Sequence, residues 1–193
     1  ARGTDIYFAN NMQTLYGIDR TFDTRRPIFA TMGMFDGMHL GHLALLRQLI
    51  VWAKTHGGYS SVITFDRHPR EVVFSNSPRI ITPLNQKLYI LSRLGVEGTI
   101  VIPFTDEIAQ MEAESFIESV LVSRFGVKGV LLGFNNRFGK NGEGNFALLR
   151  RVGSKHGLIS RQAHQLTAGG YTLSSTLIRD AVSKGNLAMA ERL

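Results

Sequence analysis

Short apolar runs alternate with longer amphipathic stretches along the chain, and glycine or proline separates most of them. Short apolar runs predict buried strands, whereas leucines that recur every three or four residues predict helices with one face against a sheet. The predicted strands are 27–35, 60–65, 99–104, 127–132 and 158–163, and the predicted helices are 40–56, 84–94, 112–125, 145–156 and 174–183.

This alternation of strands and helices predicts an α/β fold, with a mostly parallel sheet covered by helices on both faces. Ligands bind such sheets beyond the carboxyl ends of the strands, where the strand order reverses. Polar, glycine-rich segments follow three of the predicted strands, at 34–42, 66–70 and 133–144. Residues 1–26 carry the weakest pattern and are expected to form an edge strand and a linker before a domain at 27–193.

The composition is that of a soluble globular protein, since 44% of the 193 residues are hydrophobic and 19% are charged. The net charge of +7 indicates an acidic partner, which can be nucleic acid, an anionic membrane surface or a phosphorylated small molecule. The chain has no block of consecutive basic residues, and this argues against a tail that grips a polynucleotide.

The absence of cysteine excludes disulfides and thiolate metal sites, and it fits a reducing compartment. No apolar run approaches the ~18 residues that a membrane span needs, and the first residues do not have the pattern of a signal peptide. The protein is therefore expected to be cytoplasmic and to bind neither a membrane nor nucleic acid. Its oligomeric state is not indicated.

The segment GMFDGMHLGHLALL places two glycines and two histidines between the first predicted strand and its helix. Gly37 and Gly41 allow a ligand to approach the backbone, and the helix start attracts an anion through its free N–H groups. His39 and His42 can face one point, where imidazoles stabilise charge that grows during phosphoryl or nucleotidyl transfer. Two other interpretations stay open: the histidines cap and pack the helix, or they bind a metal together with His68 and a carboxylate.

A second segment, LSSTLIR, places hydroxyls at a predicted helix start and an arginine one turn later. Ser174 or Ser175 suits the N-cap of this helix, a role that any helix start can have. Adjacent hydroxyls at a positive helix end also suit a polyphosphate, which Arg179 can bind with two hydrogen bonds. Both interpretations fit this segment taken alone.

Taken together, H-x-G-H after the first strand and S-S-T-x-x-R at a late helix resemble the signature of the nucleotidyltransferase superfamily. Four segments in order resemble, more narrowly, the adenylyltransferase half of the bacterial bifunctional riboflavin kinase/FAD synthetases: TMGMFDGMHLGHLALL, TFDRHP, GFNNRFGKNGEG and LSSTLIRDAVSKGNLAMAERL. The resemblance runs from about Ile28 to Leu193. It implies a Rossmann-like fold and the reaction of FMN with ATP to give FAD and pyrophosphate, with a divalent cation that is usually magnesium.

The resemblance implies that His39 and His42 bind the ATP phosphates and stabilise the transition state at the α-phosphorus. It places Arg179 with the departing pyrophosphate as a third catalytic residue. Further residues implied at the ATP phosphates are Gly33, Phe35, Asp36, Gly37, Gly41, Ser174, Ser175 and Thr176. Because the FMN phosphate itself attacks, catalysis requires placement and charge neutralisation rather than an activated nucleophile.

On the flavin side, the resemblance implies roles for His68 and Asn135. Phe65 and Phe138 suit apolar walls for the isoalloxazine ring, although core packing is the commoner role of a phenylalanine. Asp66 is grouped with these flavin-side residues.

Asp36 and Asp66 are both expected to be exposed carboxylates at strand ends. In that position they can orient loops, form turns or hold a metal-bound water. The metal ligands are not assigned.

Two positions depart from the family pattern. Arg67 stands where a proline usually precedes His68, and Asn136 replaces the first phenylalanine of G-x-[DN]-F-x-F-G. The loss of that aromatic ring affects the expected flavin pocket and leaves the phosphate site intact. Arg67 is a candidate for binding the FMN phosphate.

In the family, a riboflavin kinase domain would follow Leu193, so kinase activity is not expected of the present residues. Three other functions stay open: a nucleotidyltransferase for a different phosphorylated acceptor, a flavin-nucleotide-binding module without catalysis, and a nucleic-acid-binding protein. The last is disfavoured because the aromatic residues are not interleaved with basic ones as a stacking surface requires.

Overall fold

The structure, a computed structural model, describes residues 6–8, 12–67, 79–168 and 171–193. Seven strands form the main sheet in the order β1-β2-β5-β4-β3-β6-β7. Their bounds are β1 Ile6–Phe8, β2 Met12–Tyr16, β3 Ile28–Met32, β4 Tyr59–Phe65, β5 Gly98–Ile102, β6 Val127–Leu132 and β7 Ile159–Gln162. All neighbouring strands are parallel except β1, which pairs antiparallel with β2 at the edge.

The strand order reverses at β3, which lies between β4 on one side and β6 on the other. The chain runs from β3 through β4 to β5, and then returns past β3 to build β6 and β7. The crevice expected at such a reversal lies beyond the carboxyl ends of β3 and β6. This Rossmann-like arrangement confirms the predicted fold class.

The N-terminal segment, which has the weakest sequence pattern, supplies β1 and β2. β2 is an interior strand, and its parallel register against β5 pairs Thr14 with Thr99. Beyond it, the buried Phe22 packs against the ring of Tyr59 at 5.0 Å between centroids. The proposed division of the chain at residue 26 stays a prediction.

The predicted helices are present, with bounds that shift by one or two residues. The helices are α1 Leu40–Thr55, α2 Leu84–Leu94, α3 Asp106–Gln110, α4 Ala113–Ser115, α5 Phe146–Lys155, α6 Ser175–Ser183 and α7 Leu187–Arg192. A 3₁₀ turn at Lys140–Gly142 and a two-stranded hairpin, β8 Thr167–Ala168 with β9 Tyr171–Thr172, complete the described elements. The sequence pattern did not predict α3 or the hairpin.

Side chains alternate between the two faces of the sheet, so each face has its own core. On one face, Phe29 and Val62 pack under α1 and α2, together with leucines from both helices. On the other face, Ala30 and Ile63 pack under the segment after α4 and under α5. Helices on both faces hold the strand ends in place on either side of the crevice.

The predicted helix 112–125 is present in a different form. After α4 it continues as a π-helix, Phe116–Arg124, and the N–H of Phe125 donates to the carbonyl of Val120 five residues earlier at 2.9 Å. The leading residue, Phe116, is buried. π-Helical turns recur near functional sites, and this one begins beside the crevice.

Candidate active site

A cavity of about 310 Å³ opens at the carboxyl ends of β3 and β6, and we call it cavity A. Its walls come from the loop after β3, the start of α1, the loop after β6, the segment after β7 and the start of α6. Of the residues predicted at the ATP phosphates, the ones that line it are Gly33, Phe35, His39, Gly41, His42, Ser174 and Ser175. The motif with the two histidines and the motif with the serines therefore face the same cavity.

The loop after β3 has an unusual backbone. Phe35, Gly37 and Met38 all have positive φ angles, of 50°, 77° and 39°. Such conformations are costly for residues with a side chain and persist only where the surroundings hold them. The N–H of Gly37 donates to the hydroxyl of Thr82 at 3.0 Å, which is one such restraint.

Asp36 provides the other restraints, and it is only 2% exposed. Its Oδ1 accepts hydrogen bonds from the backbone N–H groups of Ile81 and Thr82 at 2.9 and 2.8 Å. Its backbone carbonyl accepts from the hydroxyl of Ser175 at 2.7 Å. The expectation that Asp36 is an exposed carboxylate is therefore wrong, because protein donors enclose it.

Arg179 also reaches Asp36. Its Nη2 lies 2.8 Å from Oδ2 of Asp36, and its Nε donates to the carbonyl of Arg79 at 3.0 Å. Arg179 and Thr176 are not part of the wall of cavity A. The guanidinium thus joins the late motif to the loop after β3.

His39 caps helix α1. Its Nδ1 accepts a hydrogen bond from the backbone N–H of His42 at 3.2 Å. A neutral His39 therefore carries its proton on Nε2, which leaves Nε2–H as a donor. The interpretation of a capping histidine is confirmed for His39, and it is compatible with a role toward a ligand.

The rings of His39 and His42 stack, with centroids 3.7 Å apart and planes at 17°. Gly41 makes this arrangement possible, because a Cβ at this position would lie 3.0 Å from Nδ1 of His39. The glycine of H-x-G-H therefore leaves room for the first imidazole to lie over the helix start.

His42 is held neutral. Burial, followed by the nearby His39 and Lys87, lowers the pKa of His42 from 6.5 to about 3. Its Nδ1 is buried and has no hydrogen-bond partner among the described residues. A contact between this imidazole and a ligand in cavity A therefore falls to Nε2.

Lys87 is a buried cation that the sequence reading did not identify. It is 3% exposed, on α2, and its Nζ donates to the hydroxyl of Thr64 at 3.3 Å. Burial lowers the pKa of Lys87 to about 8, against an opposing effect of Asp36. Lys87 stands four residues before the buried Leu91, on the apolar face of α2. This position is the sequence signal from which its burial could have been predicted.

The start of α6 combines capping with access to cavity A. The hydroxyl of Ser174 accepts a hydrogen bond from the N–H of Leu177 at 3.2 Å, as expected of an N-cap. Ser174 and Ser175 also line cavity A, whereas Thr176 is exposed outside it. The capping role is confirmed for Ser174, whose O–H is left to donate to a ligand, whereas Ser175 already donates its O–H to the carbonyl of Asp36.

A second cavity of about 260 Å³, which we call cavity B, lies beside cavity A and is mostly apolar. Phe65 and Phe138, predicted as walls of a flavin pocket, both line it. Phe65 packs edge-on against Phe104, with centroids 5.2 Å apart. Phe116 of the π-helix closes the same space.

The other residues predicted on the flavin side lie elsewhere. Asn135 lines cavity A. Asp66 lines neither cavity, and its Oδ1 accepts from the N–H of Phe104 at 2.9 Å, so it orients the strand exit next to cavity B. His68 lies outside the described residues.

The two cavities share a wall. Five residues line both: Met32, Gly33, Met34, Asn136 and Arg137. The amide nitrogen of Asn136 donates to the carbonyl of Met32, which ties the loop after β6 to the end of β3. The departure at position 136 therefore replaces a ring with a hydrogen bond that fixes the common wall.

Within the described ranges, no group of three or more His, Cys, Asp or Glu side chains is placed to hold a metal ion. Both oxygens of the Asp36 carboxylate already accept hydrogen bonds from protein donors. The donor set therefore fits a cation that takes most of its ligands from phosphates and water, as Mg²⁺ commonly does.

None of the described helices is long and apolar enough to cross a membrane.

Comparisons with known proteins give consistent matches. The family described as FAD synthetase matches residues 22–177. The bifunctional riboflavin kinase/FMN adenylyltransferase of Haemophilus influenzae is 33% identical over 183 residues, which cover 94% of this chain and 59% of that protein. The protein of the same description from Escherichia coli K12 is 35% identical over 164 residues, covering 84% of this chain and 52% of its own. The chain thus spans between half and three fifths of these curated relatives.

Two solved structures share the fold. A structure described as a macrolide-efflux protein from Streptococcus pneumoniae has a TM-score of 0.82 at 23% identity and covers 93% of this chain and 69% of its own. A pantoate-beta-alanine ligase from Francisella tularensis has a TM-score of 0.58 at 16% identity, with coverage of 85% and 71%. At these identities the likeness concerns the fold alone.

Proposed function

The chain belongs to the FAD synthetase family, and we propose that it transfers the adenylyl group of ATP to FMN, giving FAD and pyrophosphate. The observation that carries the proposal is the common wall: a cavity with two imidazoles and two serine hydroxyls adjoins an apolar cavity with aromatic walls. ATP phosphates suit the first and an isoalloxazine ring suits the second.

In this reaction an oxygen of the FMN phosphate forms a bond to the α-phosphorus of ATP, and the bond from that phosphorus to the pyrophosphate oxygen breaks. The attacking oxygen is already ionised, so no general base is required. The site contributes placement and the stabilisation of growing negative charge.

The donors for that charge lie at the start of α1. The backbone N–H of His42 is already bonded to Nδ1 of His39. Nε2–H of His39 and the backbone N–H of Gly41 can donate to phosphate oxygens. His42 stays neutral at physiological pH, so it acts as a hydrogen-bond donor from Nε2 rather than as a cation. Ser174, through its hydroxyl, and Ser175, through its backbone N–H at the first position of α6, would hold the β- and γ-phosphates.

We assign Arg179 and Asp36 the role of positioning the two phosphate-binding motifs relative to each other. Their ion pair fixes the start of α6 against the loop after β3. Gly33, Phe35 and Gly37 shape that loop, and Thr176 lies at the outer rim of the helix start. A magnesium ion bound to the ATP phosphates would neutralise charge on the pyrophosphate as it leaves.

The direct test is to incubate the purified protein with FMN, ATP and magnesium, and to separate the products by chromatography. We expect FAD and pyrophosphate in equal amounts. Tight FMN binding without FAD would favour a flavin-binding module. Transfer of label from ATP to another phosphorylated acceptor, and not to FMN, would favour a different nucleotidyltransferase.

We further propose that a riboflavin kinase domain is the natural neighbour of this chain, because the relatives it matches are bifunctional. With nucleotides as its partners, the expected location is the cytoplasm. Fractionation of cells with an antibody to the domain tests the location.

A further inference from the structure

The proposed reaction brings two anions together, the phosphate of FMN and the α-phosphate of ATP. Their repulsion is strongest where the two substrates meet, which is the common wall of cavities A and B. A cation at that wall would lower the repulsion and mark where the FMN phosphate binds.

Only one of the five residues that line both cavities carries a charge, and it is Arg137. Its side chain is exposed, and no hydrogen bond or ion pair joins it to another residue in the described ranges. Two other arginines of the described residues, Arg179 and Arg67, differ in this respect. Arg179 is paired with Asp36, and Arg67 lies 3.7 Å from Asp66 and lines neither cavity.

The backbone on both sides of Arg137 is anchored. On one side, Asn136 donates to the carbonyl of Met32. On the other, Phe138 and Gly144 exchange two backbone hydrogen bonds, at 3.2 and 2.8 Å. The anchored backbone fixes the point from which the side chain extends, and the planar fork of the guanidinium matches two phosphate oxygens.

We infer that Arg137 binds the 5′-phosphate of FMN at the common wall, and that this contact lets the site distinguish FMN from riboflavin. The inference rests on the proposed function, since it takes FMN as the occupant of cavity B. It differs from the expectation that Arg67 binds this phosphate, and the structure offers both arginines for comparison.

The test compares the dissociation constants of FMN and riboflavin, measured by quenching of flavin fluorescence without ATP. We expect Arg137→Ala to weaken FMN binding by about 10-fold or more, as for the loss of a hydrogen-bonded charge contact, and to change riboflavin binding less than about twofold. Arg137→Lys should recover part of the loss, because it keeps the charge without the fork. Arg93→Ala, at an exposed position of α2 that lines neither cavity, is the matched control and should leave both constants unchanged, whereas Arg67→Ala tests the competing assignment.

Other outcomes distinguish failure of this inference from failure of the proposed function. If Arg137→Ala keeps the preference for FMN, or if Arg67→Ala abolishes it, the inference is overturned while the proposed function stands. If Arg137→Ala weakens riboflavin as much as FMN, the residue shapes the flavin pocket and does not bind the phosphate. If the unaltered protein binds neither flavin, the proposed function itself fails.

Discussion

Arg179 donates a hydrogen bond to the carboxylate of Asp36 at 2.8 Å, across 143 positions of the sequence. Asp36 belongs to the loop that carries the two histidines, and Arg179 belongs to the helix that carries the serines. Because the carboxylate also accepts from Ile81 and Thr82, one buried side chain ties three separate segments together. The relative position of the two motifs depends on it.

Asp36→Asn should therefore lower stability. The amide removes the charge opposite Arg179, and breaking one side of a buried pair costs about 3 kcal/mol of unfolding free energy. Urea denaturation measures the difference. Asp180→Asn is the matched control, because Asp180 is 52% exposed in its pair with Lys184 and its loss should cost less than about 1 kcal/mol. Equal effects of the two changes would contradict the role given to Asp36.

His42→Asn should slow adenylyl transfer while sparing FMN affinity. His42 lines cavity A and not cavity B, so its loss removes a donor at the reacting phosphate without touching the flavin. A single-turnover assay should show a decrease of about 100-fold, as for other donors to developing charge. His56→Asn, at the exposed far end of the same helix, should change neither quantity. A parallel loss of FMN binding in His42→Asn would refute the assignment.

Acid stability should also depend on His42. The pKa of His42 is about 3 in the folded protein against 6.5 ordinarily, so below pH 6.5 the unfolded chain takes up a proton that the folded protein does not. Stability is thus lost as the pH falls from 6.5 toward 3. Between pH 6.5 and 4, the unfolding free energy of the native protein should fall by about 3 kcal/mol more than that of His42→Asn. Parallel curves of unfolding free energy against pH would show that His42 titrates normally.

Gly41→Ala tests the stacked imidazoles. The new Cβ would lie 3.0 Å from Nδ1 of His39, so the ring must shift by a few tenths of an ångström from its stacked position. Helix propensity favours alanine by up to about 1 kcal/mol, and weakening of the His39 cap costs about as much, so the two effects offset each other. We expect the melting temperature to change little and the transfer rate to drop by about 10-fold or more, since small misplacements are costly in catalysis. An undiminished rate would mean that the stack has no part in catalysis.

Lys87→Met should reveal the buried cation in alkaline solution. The pKa of Lys87 is about 8 in the folded protein against 10.5 ordinarily, so between these values folding releases a proton and rising pH favours the folded state. Between pH 8 and 10.5, the unfolding free energy of the native protein should rise by about 3 kcal/mol relative to that of Lys87→Met. Lys54→Met, at an exposed position of α1, should show no such trend. A constant difference between the native protein and Lys87→Met would exclude the lowered pKa.

The sequence predicted the elements whose periodicity is set locally. The leucines of α1 and α2 and the apolar runs of β3 to β7 carry their own signal, so these elements are found within two residues of the expected bounds, except that β3 ends at Met32, three residues before its expected end. One edge strand was expected in residues 1–26, and the second, interior strand there, β2, was not predicted because its burial depends on β5, far along the chain. Its strand character comes from its neighbour rather than from its own pattern.

The residues of the site divide in the same way. His39, His42, Ser174 and Ser175 belong to motifs that sequence alone brings out, and they share cavity A. The enclosure of Asp36 could not be predicted, because the groups that surround it come from residues 81–82 and 179. Arg137 was likewise overlooked, since its importance lies in bordering two cavities at once.

The common wall has a consequence for how the reaction ends. In the proposed reaction FMN and ATP would each enter one compartment, whereas FAD would reach into both. Both halves of FAD must detach before it leaves, and a half that detaches alone is held close enough to rebind. Release of the product is then expected to be slower than release of either substrate, and accumulated FAD would compete with both substrates for entry.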